Sequence, residues 1–452
     1  MTAESAVPRL FGTDGVRGVA GAPPLDPPTV RRLGAALVRA LPPYGARQPR
    51  LLIGRDTRES GAWIEAEIAH GSAGQGAAVM SVGVVPTPAV AYLTRVAGSD
   101  MGVVISASHN PFEDNGIKVF SGGGEKFTEP VEREVEAIVA DRSWTASGGN
   151  PGPVARADLV DAYLDHLRAV FPEHGRLKNF LLGVDCANGA TTPVAPALFE
   201  SLGVATAVMG NRPDGRNINL DCGSTHPRRL AELVVARGCQ MGVAFDGDGD
   251  RAIFVDHTGR VVDGDAVLLM CSSRLQQEGR LKGGAVVATV MSNIGLELAL
   301  RRLGIDLVRC AVGDKHVMEA MLERGLSIGG EQSGHIIFSD YLFTGDGLCT
   351  ALNVLRTVAL TGRTLADLAA DLTPYPQVLL NLRVTEKVEL SSVPAVQTVI
   401  DTVALRLAGH GRLLVRYSGT EPLLRVMLEG KDEAEIRAWG QEIIDAVKSE
   451  LE

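Results

Sequence analysis

At 452 residues the chain exceeds what one hydrophobic core supports, and a prior of about 100 to 150 residues per domain predicts three or four domains. Hydrophobic residues at 45% and charged residues at 22% match soluble globular averages and exclude a disordered chain, while 4% aromatics argue against stacking platforms for single-stranded nucleic acid. A formal net charge of −10 repels nucleic acid and anionic membrane, so any anionic substrate must be held by a locally positive pocket.

The N-terminal stretch MTAESAVPRLFGTDG has no basic region followed by an apolar run, and no run reaches the roughly 18 apolar residues of a membrane span. The six cysteines (Cys186, Cys222, Cys239, Cys271, Cys310, Cys349) form no CxxC pair and no zinc-type spacing. Both features predict a soluble protein of the reducing cytoplasm, with no nucleic-acid and no membrane partner.

Along the chain, RLFGTDGVRG (Arg9 to Gly18) and IGRDTRESG (Ile53 to Gly61) are Gly/Arg/Asp turns whose cations, Arg17 and Arg55, are expected to face one cleft. From Arg50 to Gly83 an apolar strand, a polar turn, an amphipathic helix and a second strand follow one another. The same order recurs from Phe180 to Gly210 and from Ala285 to Asp314, which predicts three tandem α/β domains with parallel crossovers. Each is expected to place a polar, ligand-binding loop after its first strand.

The strand MGVVI leads into ISASHNP, where Ser108 sits on a turn followed by His109, Asn110 and Pro111, with Lys118 close behind in NGIK. A capped turn fits this string as well as a reactive serine does, but no GxSxG elbow marks a serine hydrolase, and Lys118 is placed to neutralise phosphate or move a proton. WTASGGNPGPVARAD (Trp144 to Asp158) reads as a connector into the helix LVDAYLDHLRAVF.

DGDGDR (Asp246 to Arg251) lies between the strands MGVAF and AIFVD and brings three carboxylates, Asp246, Asp248 and Asp250, into one tight loop. Their mutual repulsion calls for a divalent cation, in place of a solvated acidic turn, and magnesium suits a site completed by phosphate oxygens. Arg251 follows as a phosphate partner. An EF-hand is excluded because Arg251 and His257 stand where Gly and Glu are needed. The hairpin RAIFVDHTGRVVDGD then gives way to the helix AVLLMCSSRLQQEG.

In GGEQSGH (Gly329 to His335) the alternation of Glu331, Ser333 and His335 aims them one way, a set that suits sugar hydroxyls, although an ordinary polar loop has the same look. The prolines of LTPYPQ (Leu372 to Gln377) end that region. A different pattern follows: strand VLLNLRVTE, helix VQTVIDTVALRLAG, hairpin strands around RYSGTEP, then helix DEAEIRAWGQEIIDAVKSEL, a small α+β domain. Arg416, Ser418, Gly419, Thr420 and Arg425 make an anion nest in that hairpin, which otherwise reads as a plain turn with surface arginines. The domains fall at 1–157, 158–262, 263–373 and 374–452.

These stretches together resemble the α-D-phosphohexomutases from Arg9 to the C-terminal helix, with SASHNP, DGDGDR, GEQSGH and RYSGTEP appearing in order, one per domain. FGTDGVRG, NINLDCGSTHP (Asn217 to Pro227), VMSNIGLE and GEQSGH look like the phosphoglucosamine mutase branch. Tyr417 stands where relatives commonly carry Lys, and Lys315-His316 where Arg-Tyr is more usual. The resemblance implies three α/β domains with mixed sheets and a smaller C-terminal α+β domain around a central cleft. It implies Ser108 as the phosphoserine, with its phosphate and the three aspartates sharing one magnesium ion. Glu331 and Ser333 would hold sugar hydroxyls; Arg416, Ser418, Gly419, Thr420 and Arg425 would grip the phosphate that is not reacting, and His335 and Arg17 join the substrate-binding residues. Lys118, His109 and His335 are candidates for proton transfer that the sequence does not rank, and Arg251 joins the catalytic set. The reaction implied converts glucosamine 6-phosphate to glucosamine 1-phosphate, with a sugar 1,6-bisphosphate as intermediate or activator. A phosphomannomutase/phosphoglucomutase and a noncatalytic phosphosugar sensor are the rival readings. The residues leave the oligomeric state open, and the resemblance suggests a homodimer through the first domain.

Overall fold

A computed structural model describes residues 9–12, 14–42, 47–146, 154–418 and 422–451. Part of the expected connector, residues 147–153, and Gly419 and Thr420 of the phosphate hairpin lie outside the described residues. The chain forms two compact units, Met1–Met291 with Ile305–Ala370, and Ser292–Gly304 with Asp371–Glu452.

The first unit holds three mixed sheets. The first sheet runs, from edge to edge, Val16–Val19, Asp114–Ser121, Met101–Ile105, Arg50–Arg55, Ala78–Val84 and Ala155–Arg156. Arg50–Arg55 pairs in parallel with both Ala78–Val84 and Met101–Ile105, whereas Asp114–Ser121 returns antiparallel. The run MGVVI is buried throughout, as expected of a central strand covered on both faces. The helices Pro27–Arg39 and Gly61–Ala73 pack so closely that a Cβ on Gly71 would lie 1.9 Å from the Arg31 carbonyl oxygen. Asp26 starts the first of them by accepting from the Thr29 amide, and proline at the first helical position costs no hydrogen bond there.

The second sheet has the order Val261–Val262, Ala252–Asp256, Met241–Phe245, Leu181–Asp185, Ala205–Met209, and the third Asp306–Cys310, Ala285–Thr289, Ile328–Gly330, Ile336–Phe338. Both repeat the plan of the first, with a parallel pair from the strand-helix-strand segment, a further parallel strand, and an antiparallel return. SASHNP and DGDGDR follow the strands Met101–Ile105 and Met241–Phe245, as read from MGVVI and MGVAF, and GEQSGH follows Ile328–Gly330; each strand is the parallel neighbour next to the return strand.

The third repeat departs from this plan. Its helix Ile294–Arg302 belongs to the second unit, where Asn293 caps it and exchanges 2.9 Å hydrogen bonds with the Tyr375 backbone, and the Ile294 amide donates to Glu429 at 3.1 Å. The rest of that unit is an antiparallel sheet, Gln377–Arg383, Leu423–Glu429, Arg412–Tyr417, with helices Pro394–Leu407 and Glu433–Leu451. Val378, Leu382, Val403, Leu424, Val426, Ile436 and Ile443 form its own core. No described helix is long and apolar enough to cross a membrane, and all six cysteines are free thiols.

Candidate active site

Ser108 lies three residues past the central strand of the first sheet and is buried, with its backbone in the left-handed region at φ 52°. For a residue with a Cβ that conformation costs about 1–3 kcal/mol, so the surroundings must enforce it. The Ser106 hydroxyl accepts from the Ser108 amide at 2.9 Å and donates to Asp56. Arg58, fully buried on Asp56, donates to the carbonyls of Ser108 and Asn110 at 3.2 and 2.7 Å. The conformation turns Ser108 Oγ to Asp246, which accepts its proton in a short hydrogen bond, and leaves His109 Nδ1 at 3.4 Å.

Asp246, Asp248 and Asp250 are all buried, and each offers a ligand oxygen within 4.8 Å of the others. Gly249 takes φ 72° to fold the loop this tightly, a conformation glycine adopts freely. Lys118 Nζ donates to the Oδ2 atoms of Asp248 and Asp250 at 2.8 and 3.2 Å and lies 3.0 Å from Asp14. That leaves Asp248 Oδ1 and Asp250 Oδ1 buried with no hydrogen-bond partner, beside the Ser108 hydroxyl. Burial, then the neighbouring Asp250 and Asp248, push the Asp246 carboxyl well above the usual carboxylate range. Against the opposing effect of burial, Lys118 and His335 hold Asp250 well below it. Partnerless buried carboxylate oxygens beside a hydroxyl are an oxygen-only donor set that fits a hard divalent cation. Burial, with Arg251 and Arg17 nearby, lowers the His109 pKa, which favours a neutral imidazole.

GEQSGH forms a tight hairpin, with the Glu331 amide on the His335 carbonyl and the Gly334 amide on the Glu331 carbonyl. Within the hairpin the three side chains differ in their partners. Glu331 Oε1 accepts from the Gly313 amide at 3.1 Å, and Ser333 Oγ is buried without a partner. His335 turns inward, accepts from the Gly345 amide at Nε2, and lies 3.6 Å from Asp250 and 3.8 Å from Asp314. The second and third sheets meet here: Arg251 and His335 form a backbone bridge, and the Ala252 amide donates to the Gly334 carbonyl. Arg251 also gives its amide to Asp246 at 3.0 Å, while its buried Nε makes no hydrogen bond and lies 4.0 Å from Asp250.

Of the two N-terminal cations, Arg17 joins the site, donating to the Ala107 carbonyl at 2.7 Å and to Asp14. Arg55 does not: it is committed to Glu65 at 2.9 Å. In the second unit Arg416 and Arg425 stand directly opposite on adjacent strands, a like-charge pair that an anion would relieve. Lys387 donates to the Ser418 carbonyl at 2.7 Å. Tyr417 spends its hydroxyl on the Val388 carbonyl, and Lys315 pairs with Glu132, so neither unusual residue is available to substrate phosphate.

Four consecutive domain models of phosphoglucomutase/phosphomannomutase match the chain: α/β/α domain I over residues 8–146, II over 161–259, III over 263–375 and the C-terminal domain over 379–446. A phosphoglucosamine mutase from Cereibacter sphaeroides is 47% identical over 97% of this chain and 99% of its own, and one from Geobacter sp. is 44% identical over 98% of each. The chain belongs to the phosphoglucosamine mutase family. It is an enzyme, a mutase of the isomerase class, within the α-D-phosphohexomutase superfamily. Two solved structures share the fold. A phosphoglucomutase/phosphomannomutase family protein from Burkholderia thailandensis superposes with a TM-score of 0.80 at 24% identity, covering 98% of this chain and 97% of its own. The Aspergillus fumigatus N-acetylphosphoglucosamine mutase, solved with GlcNAc-6P and magnesium, gives 0.66 at 18% identity, covering 98% and 96%.

Sequence reading missed a second set of charges around the candidate site. Asp14 accepts from Lys126 at 2.7 Å as well as from Arg17, and Lys126 also pairs with Asp314. Thr87 donates to Asp248 Oδ2 at 2.7 Å. Asp14 sits inside the quoted FGTDGVRG, so its motif was visible, but only the fold shows that this carboxylate meets Lys118. Lys126 and Thr87 lie in no motif and left no signal.

Proposed function

We propose that this enzyme interconverts glucosamine 6-phosphate and glucosamine 1-phosphate through a phosphoserine at Ser108 and a glucosamine 1,6-bisphosphate intermediate. The observation that carries the reading is the Ser108 hydroxyl held on Asp246, whose loop also offers buried oxygens of Asp248 and Asp250 that accept no hydrogen bond. Asp246, Asp248, Asp250 and the Ser108 oxygen would hold magnesium, which when bound neutralises charge on the transferring phosphoryl group. Lys118 balances the outer oxygens of Asp248 and Asp250. In the first half-reaction the bond from phosphorus to Ser108 Oγ breaks and one to sugar O1 forms, and the proton that leaves O1 passes through His109 to Oγ. His109, 3.4 Å from Oγ, is the group we assign to return and remove the serine proton. The bisphosphate then turns end for end, and its 6-phosphate goes back to Ser108.

Arg251, whose buried Nε makes no hydrogen bond, and Arg17 are assigned to substrate phosphate at the reacting end, and Glu331 and Ser333 to sugar hydroxyls. Arg416, Ser418, Gly419, Thr420 and Arg425 are assigned to the phosphate that is not reacting. We place the domain boundaries after residues 157, 262 and 373, a division that the four matched segments support. The six free thiols suit a reducing cytoplasm.

Intact-protein mass and peptide mapping test the reading. Phosphate is expected on Ser108, lost on incubation with excess glucosamine 6-phosphate, and Ser108→Ala is expected to abolish turnover. Full turnover by that variant, or a kcat/KM for glucose 1-phosphate above that for glucosamine 1-phosphate, would overturn the mechanism or the specificity respectively.

A further inference from the structure

Ser108 holds a left-handed conformation without a glycine's freedom, and the groups that enforce it come from two domains. Its carbonyl accepts from Arg58 Nη2 at 3.2 Å and from Asn219 Nδ2 at 2.9 Å; the same side chains reach the Asn110 carbonyl at 2.7 and 3.0 Å. Arg58 comes from the turn after the first strand of the nucleophile's own sheet. Asn219 arrives from NINLDCGSTHP, the segment ahead of the helix Arg228–Arg237 that packs on the second sheet. It is buried, left-handed itself at φ 60°, and fixed by its amide on the Ala187 carbonyl at 2.9 Å.

The segment is strapped to the first domain a second time, by the Glu59 amide on the Gly215 carbonyl at 3.0 Å and by Arg216 on the Glu59 carboxylate at 2.9 Å. Gly247, inside the metal-binding loop, closes the space: a Cβ there would lie 2.5 Å from the Ser108 carbonyl oxygen and 2.8 Å from Asn219 Nδ2. The serine carbonyl therefore sits in a pocket made by Arg58, Asn219 and the backbone of the aspartate loop. Two donors on one carbonyl fix the orientation of the peptide plane, and that plane sets where Oγ points.

We propose that Asn219 is a positioning residue for phosphoryl transfer: from the second domain it fixes the carbonyls of Ser108 and Asn110 and so holds Ser108 Oγ toward Asp246. The inference rests on Ser108 being the phosphoserine. Without the amide the serine loop keeps Arg58 alone, and relaxation toward the right-handed basin carries Oγ away from the aspartate loop. Phosphoryl transfer is sensitive to such displacement, since an error of about 1 Å at the reacting atoms costs on the order of 100-fold in rate.

Asn219→Asp keeps the size and tolerates the left-handed backbone but removes both donors; Asn219→Gly removes them with no carboxylate and no backbone strain. Each variant, and the wild type, is loaded with 32P at Ser108 from a labelled hexose 1,6-bisphosphate and mixed with glucosamine 6-phosphate in a rapid-quench instrument. The expected result is unchanged loading and unchanged amplitude of label passed to sugar, with a transfer rate constant lower by about 10- to 100-fold. An unchanged rate constant in the glycine variant overturns the proposal. So does a loss confined to amplitude, with the surviving fraction reacting at the wild-type rate, because that pattern marks a residue needed only for folding. Wild-type phosphoenzyme that passes no label to sugar refutes the phosphoserine reading itself, an outcome the control arm displays separately.

Discussion

Asp346 shows how one carboxylate can serve the fold at a cost that depends on pH. It caps the helix Gly347–Thr361 through the Cys349 amide at 2.9 Å and accepts from the Tyr163 hydroxyl at 2.9 Å, yet burial pushes its pKa from 3.8 up to about 6. A folded-state value above the unfolded one means that the native state holds the proton more tightly. The stabilisation is therefore complete below about pH 4 and is lost as pH rises through 6, an effect of about 3 kcal/mol for a shift of this size. Asp346→Asn keeps an acceptor for the Cys349 amide and carries no charge. Its denaturation midpoint, followed from pH 4 to 7, is expected to lack the decline that the wild type shows over that window, and parallel profiles would refute the assignment. At this scale the sequence displayed Ser108, the aspartates and Glu331 through their motifs. The inward turn of His335 and the commitment of Arg55 to Glu65 were not legible, because the first depends on a tight hairpin and on partners far away in the chain, and the second on how the helix Gly61–Ala73 packs against the strand Arg50–Arg55.

Elements were the most legible level, because strand and helix periodicity is written locally. The parallel pairs Arg50–Arg55 with Ala78–Val84, Leu181–Asp185 with Ala205–Met209 and Ala285–Thr289 with Asp306–Cys310 fall inside the three repeats read from sequence. What periodicity did not carry was the order of the strands. The SASHNP, DGDGDR and GEQSGH loops sit where a parallel strand turns into an antiparallel return, and strand order is a tertiary property. Helix contacts are equally specific. Gly71 and Gly34 let the helices Pro27–Arg39 and Gly61–Ala73 touch backbone to backbone, and a Cβ at Gly34 would lie 2.4 Å from the Ile68 carbonyl oxygen. Gly71→Ala is thus expected to destabilise the enzyme by about 1–3 kcal/mol while kcat per folded molecule is retained, since neither helix supplies a site residue. Calorimetry paired with active-site titration checks this, and an unchanged melting temperature would contradict it.

At the scale of the whole molecule, the serine loop, the aspartate loop and the GEQSGH hairpin come from three sheets of one compact unit, and the three buried aspartates form a group that could hold a metal ion. Magnesium at 100 times its Kd is expected to raise unfolding stability by about 2.7 kcal/mol. Chelation should remove the gain, and Asp248→Asn should blunt it; an equal response from wild type and variant would show that the ion binds elsewhere. The chain by itself determined its family, its three-plus-one plan and the residue types of the reaction, because motifs and periodicity are local and survive without knowledge of contacts. Only the tertiary structure decided that Ser108 is left-handed, that Lys118 is shared by Asp14, Asp248 and Asp250, that Asn219 reaches the serine carbonyl, and that the helix Ile294–Arg302 belongs to the second unit. Each of these rests on groups brought together from distant parts of the chain, and hydrogen bonds and ion pairs of that kind leave no periodicity to read.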